Sequence, residues 1–342
     1  MDGGLAELHT HLGGSVPSET LWSLAHEQGI ALPVKDYWDF DRLVTVSDPR
    51  GVPDLDALDA IYHWTELIQS SPLAVEVSVH GAIGGAYRSQ GITTLELRFN
   101  PMKRNRGGER DLDHIILAAI RGLDVASLEY SQVRAGLILM MDRTFTPRQN
   151  EIIVEKAIRW APRGVVGIDI AGPRPGGERY DYAQVQPMVE TARAAGLGVT
   201  IHVGEEGGEM GREEIGQVLD LLQPDRIGHG ILAAGDPELM KLLRERGVVL
   251  EICPTSNLLT KALPDEDALR DVFRTFVENG VHFTIATDGP EMMRTHLRDE
   301  FDLLLRVGAL TQDELAEANR RGHEASFVSG FRTARPNTPV GR

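Results

Sequence analysis

The stretch Thr200-Ile-His-Val-Gly-Glu-Glu206 combines the pattern of a buried strand with a histidine and two acidic residues near its end. Valine and isoleucine alternate with other side chains along it, which is typical of a β-strand. The strand ends at Gly204, where His202 and Glu205 can face a pocket. Imidazole binds metal ions and a carboxylic acid can transfer a proton, so this strand end indicates hydrolytic chemistry. Taken alone, His202 is equally consistent with a histidine of the core.

Composition restricts the class of protein. The chain has 342 residues, 42% of them hydrophobic, and a formal net charge of −16. This length suits one large domain, and the acidic surface repels phosphate backbones, so nucleic acid is not expected as a partner. The single cysteine, Cys253, excludes an intrachain disulfide and a cysteine-based zinc site, and it favours a reducing compartment.

The sequence shows no membrane signal. No apolar run approaches the ~20 residues that a membrane helix needs. The first residues, Met-Asp-Gly-Gly, lack the basic and apolar regions of a signal peptide. We therefore expect no membrane partner and a cytoplasmic location.

Predicted strands and helices alternate along most of the chain. Strands are predicted at residues 5–11, 92–99, 134–141, 165–171, 198–203, 226–230, 248–253 and 281–287. Most are followed by a helix, which implies a parallel sheet with helices outside it. About eight such units favour a (β/α)8 TIM barrel. An open doubly wound sheet is the alternative, but the chain has neither a Gly-x-Gly-x-x-Gly turn after its first strand nor a Walker loop.

One stretch interrupts this rhythm. Residues 31–88 contain amphipathic and apolar helical segments between the first two strands, and they predict a helical insertion able to cover a pocket. The plain alternative is a set of outer-layer helices. We expect one domain over residues 1–342, with a frayed polar tail at about 332–342.

The barrel prediction brings scattered polar residues together, because the carboxyl ends of its strands form one mouth. These residues are His9 and His11 after strand one, His202 and Glu205 after strand five, His229 after strand six and Asp288 after strand eight. Three histidines and one aspartate form a donor set suited to zinc, with a position left for water. For His229 two roles remain open: metal ligand, or the base that orients the attacking water.

The chemistry follows from these groups. A metal ion that lowers the pKa of water towards ~7 supplies a nucleophile at neutral pH. A protonated Glu205 can donate to a ring nitrogen and later help an amine to leave. This set predicts hydrolytic addition to a C=N or C=O bond.

Six short motifs carry a resemblance to a known family. They are His9-Thr-His11-Leu, Gly167-Ile-Asp-Ile-Ala-Gly172, His202-Val-Gly-Glu205, Ile227-Gly-His-Gly230, Cys253-Pro-Thr-Ser256 and Thr287-Asp288. Together, and in this order, they resemble the successive motifs of the adenosine deaminase family over roughly residues 5–330. The resemblance implies a (β/α)8 barrel that holds one zinc ion and converts a 6-aminopurine to a 6-oxopurine plus ammonia.

The resemblance also implies roles for single residues. The metal ligands would be His9, His11, His202 and Asp288. Glu205 would protonate N1 of the purine, His229 would orient the attacking water at C6 with help from Asp288, and the backbone of Gly172 would contact the base. Wider relatives often bridge two metals with a carboxylated lysine on strand four. No lysine lies between Arg163 and Lys241, so one metal is favoured.

Two positions depart from the family pattern. Gly13 stands where adenosine deaminases usually carry an aspartate, which the resemblance implies contacts the ribose 5′-hydroxyl. Gly289 replaces a second aspartate, which usually contacts N7 of the purine. We expect Gly13 to open space beside the 5′ carbon and Gly289 to leave the N7 partner undefined. The loss of one hydrogen bond would weaken binding by about 0.5–1.5 kcal/mol.

A basic cluster suggests what fills that space. Lys103, Arg104 and Arg106 follow strand two and are expected to face the mouth, where they could attract a carboxylate. The alternative is a solvated loop. A 6-aminopurine nucleoside with a carboxylate beyond its 5′ carbon is aminodeoxyfutalosine, an intermediate of an alternative menaquinone route. Plain adenosine and the free base adenine remain alternative substrates.

Two other functions use the same barrel. One is a metal hydrolase acting on a cyclic amide or another aminated heterocycle, and Gly172 and the Cys253-Pro-Thr-Ser256 run argue against it. The other is a non-catalytic binding protein that has kept the fold. The presence of every expected metal-binding and proton-transferring residue argues against that second reading.

Overall fold

The centre of the molecule is a sheet of eight parallel strands that follow one another in chain order. A computed structural model describes residues 4–48, 50–53, 55–105, 111–174 and 177–328. The strands are β1 (Leu5–His11), β2 (Ile92–Phe99), β3 (Arg134–Asp142), β4 (Val165–Ala171), β5 (Gly198–Val203), β6 (Arg226–His229), β7 (Val249–Ile252) and β8 (His282–Ile285). Their apolar side chains are almost completely buried. Several polar residues of the strands are buried as well, among them Glu96, Arg98 and Glu251.

The last strand returns to the first. Thr10 forms a parallel bridge with Asp288, just beyond the end of β8. The backbone N–H of Asp288 donates to His9 O over 2.9 Å, and that of His11 donates to Asp288 O over 2.7 Å. The prediction of a (β/α)8 TIM barrel is confirmed. Because closure occurs at the motifs that contain His9, His11 and Asp288, the fold itself brings these residues together.

Helices form the outer layer. After β2 they are α5 (Asp113–Glu129), α6 (Pro147–Trp160), α7 (Gln186–Ala194), α8 (Gly208–Leu221), α9 (Pro237–Arg246), α10 (Pro254–Leu259), α11 (Glu266–Glu278), α12 (Pro290–Met293), α13 (Leu297–Arg306) and α14 (Gln312–Ala325). Most of them follow a strand, as the predicted alternation of strands and helices requires. The short α10 and α12 were missed, because a helix of four to six residues shows no periodicity. Both begin at a proline, which suits a first helical turn.

Four helices lie between β1 and β2. They are α1 (Ser18–Glu27), α2 (Tyr37–Val44), α3 (Leu55–Ile68) and α4 (Pro72–Gln90). The helical content predicted for residues 31–88 is therefore present, and α3 borders the mouth of the barrel. The sequence patterns did not indicate α2, whose start is fixed by Asp36 accepting from Asp39 N over 3.0 Å.

The predicted tail at 332–342 lies outside the described residues. Among the helices described, none combines the length and the hydropathy needed to cross a membrane.

Candidate metal and catalytic site

Side chains from four strand ends meet in one cavity at the carboxyl end of the barrel. His11, His202, Glu205, His229 and Asp288 all line it. His9 lies directly beneath, with its ring centroid 4.5 Å from that of His202 and 4.9 Å from that of His229. All six residues singled out from the sequence are therefore neighbours in space.

Four donor atoms converge on one point. Nε2 of His11 and Nε2 of His202 are 3.1 Å apart, and Oδ1 of Asp288 lies 3.3 Å from Nε2 of His11. Nε2 of His9 is 3.9 Å from the same oxygen, and it is buried without a hydrogen-bond partner among the described residues. A tetrahedral zinc ion with Zn–N bonds of about 2.0–2.1 Å separates its ligand atoms by about 3.3–3.4 Å. The spacing of these atoms fits such an ion.

Two buried carboxylates orient the histidine rings. Glu251 accepts from Nδ1 of His9 over 2.8 Å, and Asp169 lies 2.9 Å from Nδ1 of His202. Burial opposes their ionisation, but His202 and Arg98 hold the pKa of Asp169 at about 2, and arginines hold that of Glu251 at about 2. Each carboxylate fixes the ring proton on Nδ1, so Nε2 presents its lone pair to the metal position.

The protonation state of the histidines also suits a metal. Burial, followed by nearby cationic groups, lowers the pKa of both His9 and His11 well below the usual value. Neutral imidazole is the form that binds metal ions. A second possible set of metal ligands consists of His9, His229 and Cys253. Burial and the charge of Asp288 raise the pKa of the Cys253 thiol well above its usual value, so the thiolate that a metal needs is disfavoured there.

Glu205 is a protonated acid at neutral pH. Burial, reinforced by the charge of Asp288, raises its pKa to about 8. Its carboxyl group accepts from Thr260 Oγ1 over 3.3 Å and lies 3.6 Å from Nε2 of His229. A carboxyl group with this pKa, facing a cavity, is suited to act as a general acid.

His229 lies between this acid and the metal position. Burial lowers its pKa to about 4, so the ring is neutral. Asn257 Nδ2 donates to Nδ1 of His229 over 3.0 Å, which places the ring proton on Nε2, towards the cavity. The backbone of His229 has φ 61° and that of Asp288 has φ 65°, a conformation that residues other than glycine rarely adopt. Strain of this kind accompanies functional sites.

Gly172 lies on the cavity wall after β4. Its φ is +89°, and a Cβ atom built there would lie 2.7 Å from Oδ1 of Asp142. Its carbonyl accepts from Arg143 Nη1 over 2.6 Å. The position therefore requires glycine, and a ligand in the cavity meets backbone there.

Gly13 does not open the cavity as expected. A Cβ atom built on it would lie 3.0 Å from Cδ1 of Tyr62 and 3.2 Å from Oγ1 of Thr65. The space that an acidic side chain would occupy is filled by helix α3. Gly289 is similar, because its Cβ would lie 3.1 Å from the hydroxyl of Tyr62. Neither glycine is among the described residues that line the cavity.

The basic cluster is only partly at the mouth. Lys103 lines the cavity, but its ammonium group lies 2.9 Å from Oδ2 of Asp142. Arg104 is 1% exposed and packs over the ring of Phe99, so it does not reach the cavity lining described here. Contrary to the expectation from sequence, the side chain turns into the protein instead of facing the mouth. Arg106 lies outside the described residues.

Sequence reasoning missed several residues of the site. They are Tyr62, Glu66, Asp142, Arg143 and Arg174 in the cavity wall, and Asp169, Glu251, Ser256 and Asn257 around the metal and catalytic groups. Asp142 is the last residue of β3 and Arg143 follows it directly, so the rule that polar residues at strand ends share one mouth would have found them. Nothing in the sequence places Tyr62 there, because it comes from a helix of the segment between β1 and β2.

Comparison with known proteins agrees with this geometry. The family model described as adenosine deaminase matches residues 4–335. An adenosine deaminase of Shewanella denitrificans is 30% identical over 327 residues, which cover 95% of this chain and 94% of the relative.

Solved structures share the fold. An adenine deaminase from Arthrobacter aurescens is 22% identical, with a TM-score of 0.83 over 96% of this chain and 95% of its own. An Arabidopsis protein named ADAL, solved in complex with IMP, is 25% identical, with a TM-score of 0.81 over 96% of this chain and 93% of its own. The chain therefore belongs to the adenosine deaminase family of hydrolytic deaminases.

Proposed function

We propose that this deaminase uses one zinc ion to convert a 6-aminopurine nucleoside to its 6-oxopurine and ammonia. The observation that carries the proposal is Glu205, an acid with a pKa of about 8, which faces the cavity beside His229 and the convergent histidines. A proton donor beside a metal position is what hydrolytic removal of a ring amine needs.

The residues that would hold the metal are His9, His11, His202 and Asp288. Three nitrogens and one oxygen within tetrahedral spacing suit zinc better than ions that prefer six oxygens. When bound, such an ion lowers the pKa of water and supplies a nucleophile at neutral pH. Ser256 donates to Oδ2 of Asp288 over 2.7 Å, which leaves Oδ1 to face the metal position.

The remaining steps belong to the protein. Glu205 donates its proton to N1 of the ring, which makes the neighbouring C6 electrophilic. Nε2–H of His229 is directed by Asn257 towards the cavity, where it orients the attacking water. After the attack, the ionised Glu205 takes the proton of the hydroxyl group gained at C6 and passes it to the amine, so that the C6–N bond breaks, the 6-oxo group forms and ammonia leaves. Gly172 offers backbone close to the base, since it carries no side chain.

Adenosine is the first substrate that we propose. Binding of a purine is supported by the ADAL relative, which was solved with IMP. The cavity is lined by Asp59, Glu66, Asp142 and Glu206, and its cations Lys103 and Arg174 are paired with such acids. A third cation, Arg143, donates to the backbone carbonyls of Gly172 and His202. An acidic cavity whose cations are already engaged favours an uncharged nucleoside over an anionic one.

Aminodeoxyfutalosine is the second candidate, and Lys103 is the observation in its favour. Its ammonium group lines the cavity and would be available to a substrate carboxylate if it left Asp142. This substrate would connect the enzyme to menaquinone biosynthesis. The filled space at Gly13 weakens the original reason for a 5′ extension.

The deciding experiment measures ammonia release by the zinc-loaded protein from adenosine, adenine and aminodeoxyfutalosine. We expect the highest kcat/KM with adenosine, and none without metal. Preference for aminodeoxyfutalosine would select the second candidate, and preference for adenine would assign a base deaminase. Release from none of them by a zinc-containing, folded protein would reject the proposed reaction.

A further inference from the structure

Three glycines surround one tyrosine beside the metal position. A Cβ atom built on Gly13 would lie 3.0 Å from Cδ1 of Tyr62. On Gly14 and on Gly289 it would lie 3.3 Å and 3.1 Å from the hydroxyl oxygen of Tyr62, and on Gly14 it would also meet the backbone of Gly289 at 2.6 Å. Side chains at 13 and 289 would compete with Tyr62 for its place, so these two departures from the family pattern share one physical cause.

Tyr62 is held at the cavity by two contacts. Its hydroxyl lies 3.4 Å from Oδ1 of Asp288, and its ring centroid lies 5.6 Å from that of His11. Tyr62, His11 and Asp288 all line the cavity. The tyrosine therefore belongs to the wall formed by β1, the end of β8 and helix α3.

The hydrogen-bonding capacity of the hydroxyl indicates what it can bind. A carboxylate only accepts, so the proton of Tyr62 is directed to Asp288. The hydroxyl oxygen then has only acceptor capacity left for a ligand. A purine nucleoside offers two kinds of donor, the exocyclic amine and the hydroxyl groups of the sugar.

The position of Glu205 selects between these donors. Glu205 follows β5, which lies across the eight-stranded barrel from β1. In a purine, N1 and the N9-linked sugar lie at opposite ends of the ring system. If Glu205 binds the N1 end, the sugar end is directed towards the wall that contains Tyr62.

We propose that Tyr62 is a specificity-determining residue, whose hydroxyl accepts a hydrogen bond from a sugar hydroxyl group of the nucleoside. Gly13, Gly14 and Gly289 admit the tyrosine to this place. The inference rests on the proposed function for the orientation of the purine, and it assigns the preference for a nucleoside over a free base to the segment between β1 and β2.

The test compares two product ligands that differ only in the sugar. Calorimetry measures the Kd of inosine and of hypoxanthine for the zinc-loaded wild type and for Tyr62→Phe, with zinc content determined in both. Loss of one uncharged hydrogen bond should weaken inosine binding about threefold to tenfold. Hypoxanthine binding and zinc content should not change. The 2′-, 3′- and 5′-deoxy forms of inosine identify the sugar hydroxyl that binds Tyr62. The form that lacks this hydroxyl should have the same Kd for the wild type and for Tyr62→Phe.

Two further variants separate recognition from structure. Tyr37→Phe removes a hydroxyl of the same segment that bonds Ser18 over 2.8 Å outside the cavity, and it should leave both ligands unaffected. Gly289→Ala should weaken inosine binding less in the Tyr62→Phe background, where the hydroxyl that its Cβ approaches is gone.

Three results would overturn the inference: equal weakening of inosine and hypoxanthine, no weakening of either, or no binding of inosine to the wild type. The first would show that Tyr62 acts through Asp288 rather than on the sugar. The proposed function is judged separately. A selective loss of inosine affinity together with no release of ammonia from adenosine would keep the inference and reject the reaction.

Discussion

At the scale of single residues, the proposed proton transfer depends on Glu205. We expect Glu205→Gln to lower kcat by about 10²–10⁴-fold, since the amide cannot donate as an acid does. Zinc content, measured by atomic absorption, should be unchanged, because the carboxyl group is bonded to Thr260 rather than placed among the metal donors. Glu206→Gln is the matched control. Its carboxylate is paired with Arg174 over 2.9 Å, so a much smaller loss is expected. Near-wild-type turnover by Glu205→Gln would contradict the role.

The same residue predicts the alkaline limit of activity. The raised pKa of about 8 means that Glu205 is protonated below that pH and ionised above it. As the acid must carry its proton, kcat/KM should fall as pH rises. A bound cation favours the carboxylate, so the falling limb should lie no higher than about pH 8. A rate profile from pH 6 to 10 measures this. A profile that stays level up to pH 10 would exclude Glu205 as the donor.

Sequence alone predicted that the candidate metal-binding and catalytic residues lie together, but it did not predict their surroundings. His9, His11, His202 and Asp288 could be found because parallel strands of a barrel end at one mouth. The space at Gly13 was interpreted wrongly, since the ring that fills it comes from a distant helix. A glycine in a sequence shows that a side chain is absent, but only packing shows what takes its place.

At the scale of secondary-structure elements, β4 supports the metal ligand of β5. Asp169 on β4 lies 2.9 Å from Nδ1 of His202 and also pairs with Arg98 over 2.8 Å. We expect Asp169→Asn to weaken zinc affinity about 10–100-fold, because the ring loses the carboxylate that fixes its orientation. Competition with a chromogenic chelator measures this affinity.

A buried carboxylate of the outer layer provides the control for that substitution. Asp113 on α5 pairs with Lys156 and Arg159 of α6, and none of these three residues lines the cavity. Asp113→Asn should alter stability without altering zinc affinity. If the two variants lose zinc affinity equally, the effect of Asp169 is one of general stability and its orienting role is refuted.

The bounds of the longer strands were predicted more accurately than those of the shorter ones. β1, β2, β4 and β5 have the bounds that their hydrophobic patterns indicate. β8 is shorter than predicted, at His282–Ile285 instead of 281–287, because the chain leaves the ladder with β7 before Thr287 and reaches β1 through Asp288 alone. The local sequence pattern predicts that a strand is present, whereas the closure of the barrel determines where its hydrogen bonds to the neighbouring strands end.

At the scale of the whole molecule, buried charges join distant strands inside the barrel. Arg226 on β6 contacts Glu96 on β2 and Glu251 on β7, each over 2.5 Å, and its third nitrogen group donates to Ala325 O at the end of α14. Arg98 on β2 reaches the same Glu251 over 2.8 Å. Because Glu251 also orients His9, one network connects closure of the barrel with the metal site.

Arg226→Met tests the contribution of this network to stability. Removing Arg226 takes away the cation paired with the buried carboxylate of Glu96 and leaves Glu251 with Arg98. Breaking a buried pair in this way costs about 3–5 kcal/mol in the free energy of unfolding. Arg148→Met, which removes only exposed pairs with Glu151 and Glu155, should cost less than about 1 kcal/mol. Urea unfolding at pH 7 measures both.

The pH dependence of unfolding tests whether lost charge pairing causes the loss of stability in Arg226→Met. The pKa of Glu251 is about 2 in the folded protein against an ordinary 4.5. Its stabilising contribution is therefore complete above about pH 4.5 and is lost as the pH falls towards 2. In Arg226→Met, Glu251 loses one of the two arginines that lower its pKa and takes up a proton more readily, so the difference from the wild type should shrink as the pH falls from 7 towards 2. A difference that stays constant would assign the loss to packing of the guanidinium over Phe327, 3.6 Å from its ring centroid, rather than to charge.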